Sequence, residues 1–447
     1  MEENLKKFLK KHYVPYIIYG LMFGAFILVG YEMFGDDINV REKLMPSLFG
    51  ELENLSRSYA GWSSRIFINP PIWIIMHFPI WVWGSITTVL AVYIFWGIDR
   101  LLFKNEDMKA TYVMLMLFAL FPMEILCDVG WVVTTMTYIW PSAAAVCSFF
   151  SIRQFIDGKK IKWYHALFLC LCTIYAANKE ELSVMLLLIF GTFFILSAKE
   201  NKLNITILFQ TVISMGNLLF HMFSGGNAER YEKINNYNDT FYDKLEIGLT
   251  QAPLRLFLKY DYMCLAFSVI LMLIIFIRYK NVLVRAVSVI PVATWIFGAV
   301  GAFILSGGNI DAAAYDTPFF CYGLSVSRGK YTHPMAWVML LCSIIVMLAL
   351  VYTAMKCAPN KKTALFTFLL LAAAYGGRAT TGFANSGWGL YARTYIFMYY
   401  VFVMLMAAYI QAVMKEMPDK KTKIIMCCLA IFAFVGAFKN IVTLGII

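Results

Sequence analysis

The chain has 447 residues, of which 61% are hydrophobic and 15% charged, with a formal net charge of +11. A mean hydropathy of +0.68 and repeated apolar runs of bilayer length exclude a soluble globular fold and predict an all-α, polytopic integral membrane protein. The basic excess needs no nucleic acid to explain it: with the N-terminus inside and sides alternating, about 23 of the 38 Lys and Arg and about 9 of the 27 acids fall on the cytoplasmic face.

Lys6, Lys7, Lys10 and Lys11 precede a first helix over 12–34, which lacks a small-residue cleavage signal and is expected to stay in the membrane. The first outer loop, 35–71, opens on Asp36 and Asp37. Within it the apolar residues Leu44, Leu48, Leu52, Leu55, Tyr59 and Trp62 recur at helical spacing. That pattern predicts an amphipathic helix over 44–62 lying in the membrane interface, with Pro46 near its start and Trp62 as its anchor. Further spans are expected over 72–101, 110–127, 137–155 and, on either side of a tight outer hairpin AANKEEL, in the runs before and after 178–181. The series continues over 203–223, 257–277, 284–305, 335–356, 364–375 and 394–414, and closes with a last helix to the end. The total is about 13 spans. The outer loops run over 224–256, 306–334 and 376–393, and the chain shows no internal repeat and no soluble domain. A single transmembrane domain over 1–447 is therefore expected, with any site built from loops and helix ends.

The distinctive polar residues all fall on the outer side. Asp36 and Asp37 stand at the mouth of the first helix, where carboxylates are costly and invite a functional role. Arg65 ends the interfacial helix. Asn178, Glu180 and Glu181 tip the hairpin, Asn227 and Arg230 lie in GGNAER, and Arg378 and Arg393 flank a glycine-rich segment. Arginine grips phosphate through its planar fork and carboxylates serve as bases, so a lipid-phosphate donor and a hydroxyl acceptor would need both. Taken singly, each Arg is explained as well by a headgroup contact or a surface ion pair. The pairs Gly225–Gly226 and Gly376–Gly377 suit tight turns whose backbone N–H groups would hold a phosphate. Asp128 lies near the same face, as do Asp311, Asp316, Arg328 and His333 of the third outer loop. His77 sits in an apolar run and is expected to be a packing residue. The ten Cys carry no metal-ligand spacing. Cys127 and Cys321 are the one pair placed to approach the outer face together.

The order GDD, GWSSR, YIWP, NKEE, GGNAER and YAR resembles the GT-C superfamily of membrane glycosyltransferases, and within it a group of bacterial proteins related to surface-polymer glucosyltransferases. Ser64 and Gly225 depart from that group's usual residues. The resemblance implies a polyprenyl-phosphate-linked sugar donor, a cell-surface polysaccharide, teichoic-acid-like polymer or lipid-linked glycan as acceptor, and inverting transfer. Asp36 or Asp37 would be the base, and Arg230, Arg378 or Arg393 would hold the leaving phosphate. Some relatives use a divalent metal, and nothing in this chain fixes one. The expected location is the plasma membrane, with a cytoplasmic N-terminus and an extracytoplasmic site. Two competing functions are a transporter or flippase of a lipid-linked sugar, which calls for helices broken at the midplane, and a non-catalytic membrane scaffold.

Overall fold

Proline and glycine mark several helix boundaries of this chain, among them Gly30, Pro79, Pro122 and Gly130. A computed structural model describes residues 11–44, 48–61, 63–103, 107–234, 240–258, 261–305, 334–383, 392–416 and 419–443. In order, the α-helices are α1 (Val14–Val29), α2 (Asp36–Glu42), α3 (Leu48–Gly61), α4 (Asn69–Met76), α5 (Ile80–Leu102), α6 (Met108–Ala119), α7 (Trp131–Ser148), α8 (Phe150–Ile156), α9 (Trp163–Ala177) and α10 (Glu180–Lys199). They continue with α11 (Ile205–Met222), α12 (Gly225–Ile234), α13 (Phe241–Leu258), α14 (Tyr262–Arg278), α15 (Val282–Leu305), α16 (Pro334–Cys357), α17 (Lys361–Ala379), α18 (Ile396–Glu416) and α19 (Asp419–Thr443). No strand occurs among the described residues.

Among the described residues, eight helices are long and apolar enough to cross a membrane, or nine if the bent pair α13–α14 forms one span. This is a polytopic membrane protein. The helices at Val14–Val29, Met108–Ala119 and Trp163–Ala177 are apolar but shorter.

Several expected boundaries move. The run over 72–101 divides into α4 and α5, because Pro79 stands at the N-cap of α5 with φ −56° and ψ 143°, and its ring disfavours helix at the residue before it. The run over 110–127 gives α6, then Pro122, then a short 3-10 turn at Met123–Cys127. Helix α7 begins at Trp131, six residues ahead of the expected start. Pro141 sits inside it without ending it, and Ser142 Oγ donates to the Tyr138 carbonyl at 2.6 Å. The helix expected over 44–62 is seen as α3, from Leu48; Pro46 and Trp62 lie outside the described residues.

The glycine pairs are not turns. Gly225 and Gly226 open α12, and Gly376 and Gly377 lie inside α17. Among the described residues the positive-φ glycines are Gly35, Gly130 and Gly158. A phosphate-cradling turn at either pair is therefore ruled out. Helical packing overrides the weak helix propensity of glycine there. Similarly, 224–256, expected as a loop, is largely helical, since α12 and α13 occupy most of it. Cys127 is a free thiol, while its suggested partner Cys321, together with Asp311, Asp316, Arg328 and His333, lies outside the described residues.

The chain forms two units, one of Met1–Lys233 with Val435–Ile447, the other of Ile234–Phe434. In the first, α7 is the central helix. The span containing it is 78% buried, and it packs against α5 on one side and α9 on the other. Its small and hydroxylated residues, among them Thr134, Thr135, Ser142 and Ala143, allow that close approach. Helix α1 lies on α5, and α9, α10 and α11 pack in turn. Near the end of the chain, Asn440 accepts from Met123 N–H and donates to the Phe121 carbonyl, both at 2.9 Å, which satisfies the backbone freed where α6 stops.

In the second unit the central helix is α18, whose span is also 78% buried. It lies between α14 and α17. Asp261 caps the N-terminus of α14 through Cys264 N–H at 2.8 Å and also accepts from the Tyr399 hydroxyl. Helix α13 runs close against the turn Thr380–Phe383 at two glycines. A Cβ at Gly248 would overlap the Ala379 carbonyl, and one at Gly382 the Lys244 carbonyl.

Candidate functional site

The acidic pair opens a helix instead of hanging in a loop. After α1 ends, Gly35 takes φ +56° and α2 begins at Asp36. The backbone N–H of Asp36 donates to the Val129 carbonyl at 2.6 Å. The Asp37 carboxylate caps α7: Oδ2 accepts from Val132 N–H at 3.0 Å, and Oδ1 from Val133 N–H at 2.9 Å. A carboxylate at a helix N-terminus satisfies orphan donors and meets the positive end of the dipole. Gly130, at φ +140°, makes room for it, since a Cβ there would lie 2.7 Å from Asp37 Oδ1. Asp37 is fully buried, whereas Asp36 is half-buried. Burial pushes the Asp37 carboxyl up from its ordinary value, against the pull of the N–H groups of Val133, Val132 and Trp131.

A second cluster forms at the tip of the α9–α10 hairpin. Arg65, in the segment between α3 and α4, points its Nε at both oxygens of Glu180, each at 3.1 Å. Lys179 Nζ reaches Glu180 at 3.0 Å and Glu181 at 2.5 Å. It also lies 4.9 Å from the centre of the Tyr138 ring, a cation–π contact on α7. Lys179 and Glu181 are buried, while Arg65 and Glu180 each keep 22% of their side-chain surface. The terminal amino groups of Arg65 take no partner among the described residues. Burial works against the charge on Arg65, but Glu180, Tyr138 and Glu181 outweigh it and hold the guanidinium protonated. Burial and Arg65 draw the Lys179 pKa down, and Glu180 with Glu181 carry it above its ordinary value.

The Arg65 segment is fastened from three directions. Asn178 accepts from Phe67 N–H at 2.8 Å and donates to the Ser64 carbonyl at 3.3 Å. Asn227, in the first turn of α12, donates to Ser64 Oγ at 2.9 Å and to the His221 carbonyl at 3.1 Å. His221 Nδ1 lies 2.6 Å from Ser64 Oγ, and Nε2 lies 3.0 Å from the Ala177 carbonyl. Since the carbonyl only accepts, Nε2 carries the proton. A neutral ring then accepts from the Ser64 hydroxyl, which itself accepts from Asn227. Helix α3 joins the same region through Tyr59, stacked on Phe220 with ring centres 4.7 Å apart.

No model of a known protein family, no characterised protein and no solved structure matches this chain.

The predicted residues therefore fall into groups. Arg65, Asn178, Glu180, Glu181 and Asn227 come together in the first unit. Asp36 and Asp37 stand at the head of α7, whose Tyr138 touches Lys179; six residues separate Val132 from Tyr138, about 9 Å along the helix axis. Helix α2 also packs on α4, directly after the Arg65 segment. Arg230 falls on α12, and its side chain is outside the described set. Arg378 and Arg393 belong to the second unit. Arg378 is buried with its guanidinium 4.6 Å from the centre of the Tyr395 ring, and Arg393 is half-buried in the 3-10 turn Ala392–Tyr395. Asp128 is half-buried just before Gly130. His77 terminates α4. No group of three or more His, Cys, Asp or Glu among the described residues is arranged to hold a metal ion.

Four contributors were not singled out from the sequence: Lys179, Ser64, His221 and Gly130. Lys179 stood in the hairpin motif as a neighbour of the acids, and its burial is what makes it part of the cluster. His221 ends an apolar run, and only the polar residues that close on it from Ser64 and Ala177 distinguish it from a packing histidine.

Proposed function

We propose that this chain is a membrane glycosyltransferase that moves a sugar from a polyprenyl-phosphate donor to a hydroxyl of a cell-envelope polymer or lipid-linked glycan. The observation that carries the proposal is Arg65. Glu180 orients it through Nε, leaving its terminal amino groups to receive a phosphate, in a segment bordered by the carboxylate-bearing helix α2. Inverting transfer needs a carboxylate on one side of the anomeric carbon and a cationic fork on the phosphate at the other. In this reading the fold is of GT-C type with about 13 spans, the N-terminus is cytoplasmic, and the site faces outward at the plasma membrane. The phosphate on the leaving group gains charge as the glycosidic bond breaks, and Arg65 stabilises it. Asn178 and Asn227 keep the segment that bears Arg65 in place. Arg230 remains a proposed donor contact, and no metal is assigned.

The test is transfer from radiolabelled polyprenyl-phosphate hexoses in proteoliposomes, wild type against Arg65→Gln. Arg65-dependent transfer supports the proposal. Absence of transfer by the wild type across the donor panel removes it.

One observation favours a second reading. Helices α13 and α14 meet at 77°, and a span broken in this way is a feature of transporters. In the same proteoliposomes, movement of the sugar-lipid across the bilayer without transfer would assign the chain to that class.

A further inference from the structure

Two lysine-bearing turns lie at the end of the first unit opposite the hairpin cluster. Helix α9 runs from that end to Ala177, α10 returns to it and α11 leaves it again, and the three pack together. Lys159, Lys160 and Lys162 precede α9, and Lys199 and Lys202 flank the end of α10; all five are exposed. Helices α8 and α10 end on the same device. Gly158 and Asn201 take φ of +68° and +53°, and the residue after each turns its N–H back onto the helix. Lys159 N–H donates to the Gln154 carbonyl and Lys202 N–H to the Ser197 carbonyl, both at 2.9 Å. The main chain thus satisfies these carbonyls, and no lysine side chain is drawn in to cap them. Arg153 pairs with Asp157 at 3.3 Å, while none of the five lysines forms an ion pair among the described residues. These lysines and Arg153, set against Asp157 and Glu200, leave a net charge of +4 on the rim.

An aromatic and apolar surface adjoins the lysines. Lys162 Nζ lies 5.8 Å from the centre of the Tyr164 ring, and Trp163 is 78% exposed. From Tyr164 the exposed residues Leu167, Phe168 and Leu171 continue along one face of α9. Such a stripe runs from headgroup level into the hydrocarbon, with Trp and Tyr at the boundary.

We propose that this rim binds an anionic glycerophospholipid, with its phosphate on Lys159, Lys160 and Lys162 and its acyl chains on the α9 stripe from Tyr164 to Leu171. An anionic headgroup complements the positive rim, and a zwitterionic one does not. Lysine acts on phosphate as a point charge on a flexible stem, so three unpaired lysines in one turn adapt to a headgroup without a rigid cage. Trp163 and Tyr164 set the depth at which that headgroup sits. The lipid would anchor the helix whose far end carries Ala177 and leads to Asn178, the partners of His221 and of the Arg65 segment. The proposal needs only that the chain crosses a membrane, and it stands apart from the glycosyltransferase reading.

The test titrates the full chain, delipidated in detergent, with dioleoyl phosphatidylglycerol and with dioleoyl phosphatidylcholine, and follows the first lipid bound by native mass spectrometry. The triple variant Lys159→Gln, Lys160→Gln, Lys162→Gln removes the proposed contacts. A control, Lys280→Gln, Lys361→Gln, Lys362→Gln, removes the same charge from exposed positions of the second unit. At low salt the wild type and the control should prefer phosphatidylglycerol by about 100-fold, or about 5-fold per lysine, and the first variant should lose that preference. Raised salt should narrow it. A second readout needs no lysine variant: phosphatidylglycerol brominated on its acyl chains should quench a part of the tryptophan emission that Trp163→Phe lacks, and brominated phosphatidylcholine at the same concentration should not. Equal affinity for the two lipids, or a loss shared equally by the control, would overturn the proposal. So would quenching that is the same in wild type and Trp163→Phe. Displacement of the lipid by inorganic phosphate at matched ionic strength would also overturn it, since the acyl stripe would then contribute nothing.

Discussion

Glu180→Gln tests the hairpin cluster most directly. The substitution keeps shape and removes one charge from a set in which Arg65 lies 3.1 Å and Lys179 3.0 Å from the same carboxylate. At an effective dielectric constant near 20, each attraction is worth about 5 kcal/mol. Much of that is offset, because part of the pair reaches solvent and desolvation opposes burial. Breaking a buried pair on one side costs about 3–5 kcal/mol, and the 22% exposure of Glu180 and Arg65 places this case near about 3 kcal/mol. Lys179, buried with Glu181 as its remaining partner, carries most of the loss. In detergent the melting midpoint should fall by about 5 °C. The amide also releases the Arg65 fork, so the donor KM should rise by about 10-fold, the equivalent of one charge-assisted hydrogen bond. A double-mutant cycle of Arg65→Gln with Glu180→Gln should return a coupling of about 2 kcal/mol. Additive effects in the cycle, with a midpoint that moves less than about one degree, would refute the claim that Glu180 holds Arg65.

Three other expectations follow from the structure. Ser64→Ala leaves His221 Nδ1 and one Asn227 N–H without their partner in a buried setting, and should cost about 1–3 kcal/mol in chemical denaturation; a stability equal to wild type would mean that the network is not formed. Lys179 titrates higher folded than unfolded, so its contribution is complete below its ordinary value of 10.5 and is lost as pH rises through the folded value. Melting midpoints taken from pH 8 upward in about half-unit steps should therefore fall on the alkaline side more steeply in wild type than in Lys179→Met. In the second unit, Gly382→Ala drives a methyl into the Lys244 carbonyl, and should cost about 1–3 kcal/mol; a neutral effect would show that α13 shifts aside without penalty.

Much of the first site was legible because its members sit at helix ends. Arg65, Asn178, Glu180, Glu181 and Asn227 are polar residues next to long apolar runs, and a bilayer leaves such residues few places to go except toward one another. The geometry of the acidic pair was not legible. It depends on Gly130 and on the first turn of α7, more than 90 positions away, and the apolar run after Val129 gave no sign that a helix starts at Trp131. The break at Pro79 was obscured for a related reason. Hydropathy is continuous across it, and only the backbone restriction of proline separates α4 from α5. The glycine pairs misled in the opposite sense. Gly225–Gly226 and Gly376–Gly377 carry the composition of turns, yet each lies in a helix. His221 and Ser64, separated by 157 positions, have no local pattern that links them.

The hairpin cluster holds two cations and two carboxylates, so it is electrically balanced when empty. An anion docking at the open side of Arg65 would break that balance in a place with little water to screen it. Binding would then draw in a compensating proton or cation. The apparent affinity for any phosphate-bearing lipid would depend on pH or on the counter-ion present, and its heat of binding would change with the ionisation enthalpy of the buffer. A calorimetric titration repeated in two buffers counts the protons taken up, whatever the headgroup attached to the phosphate.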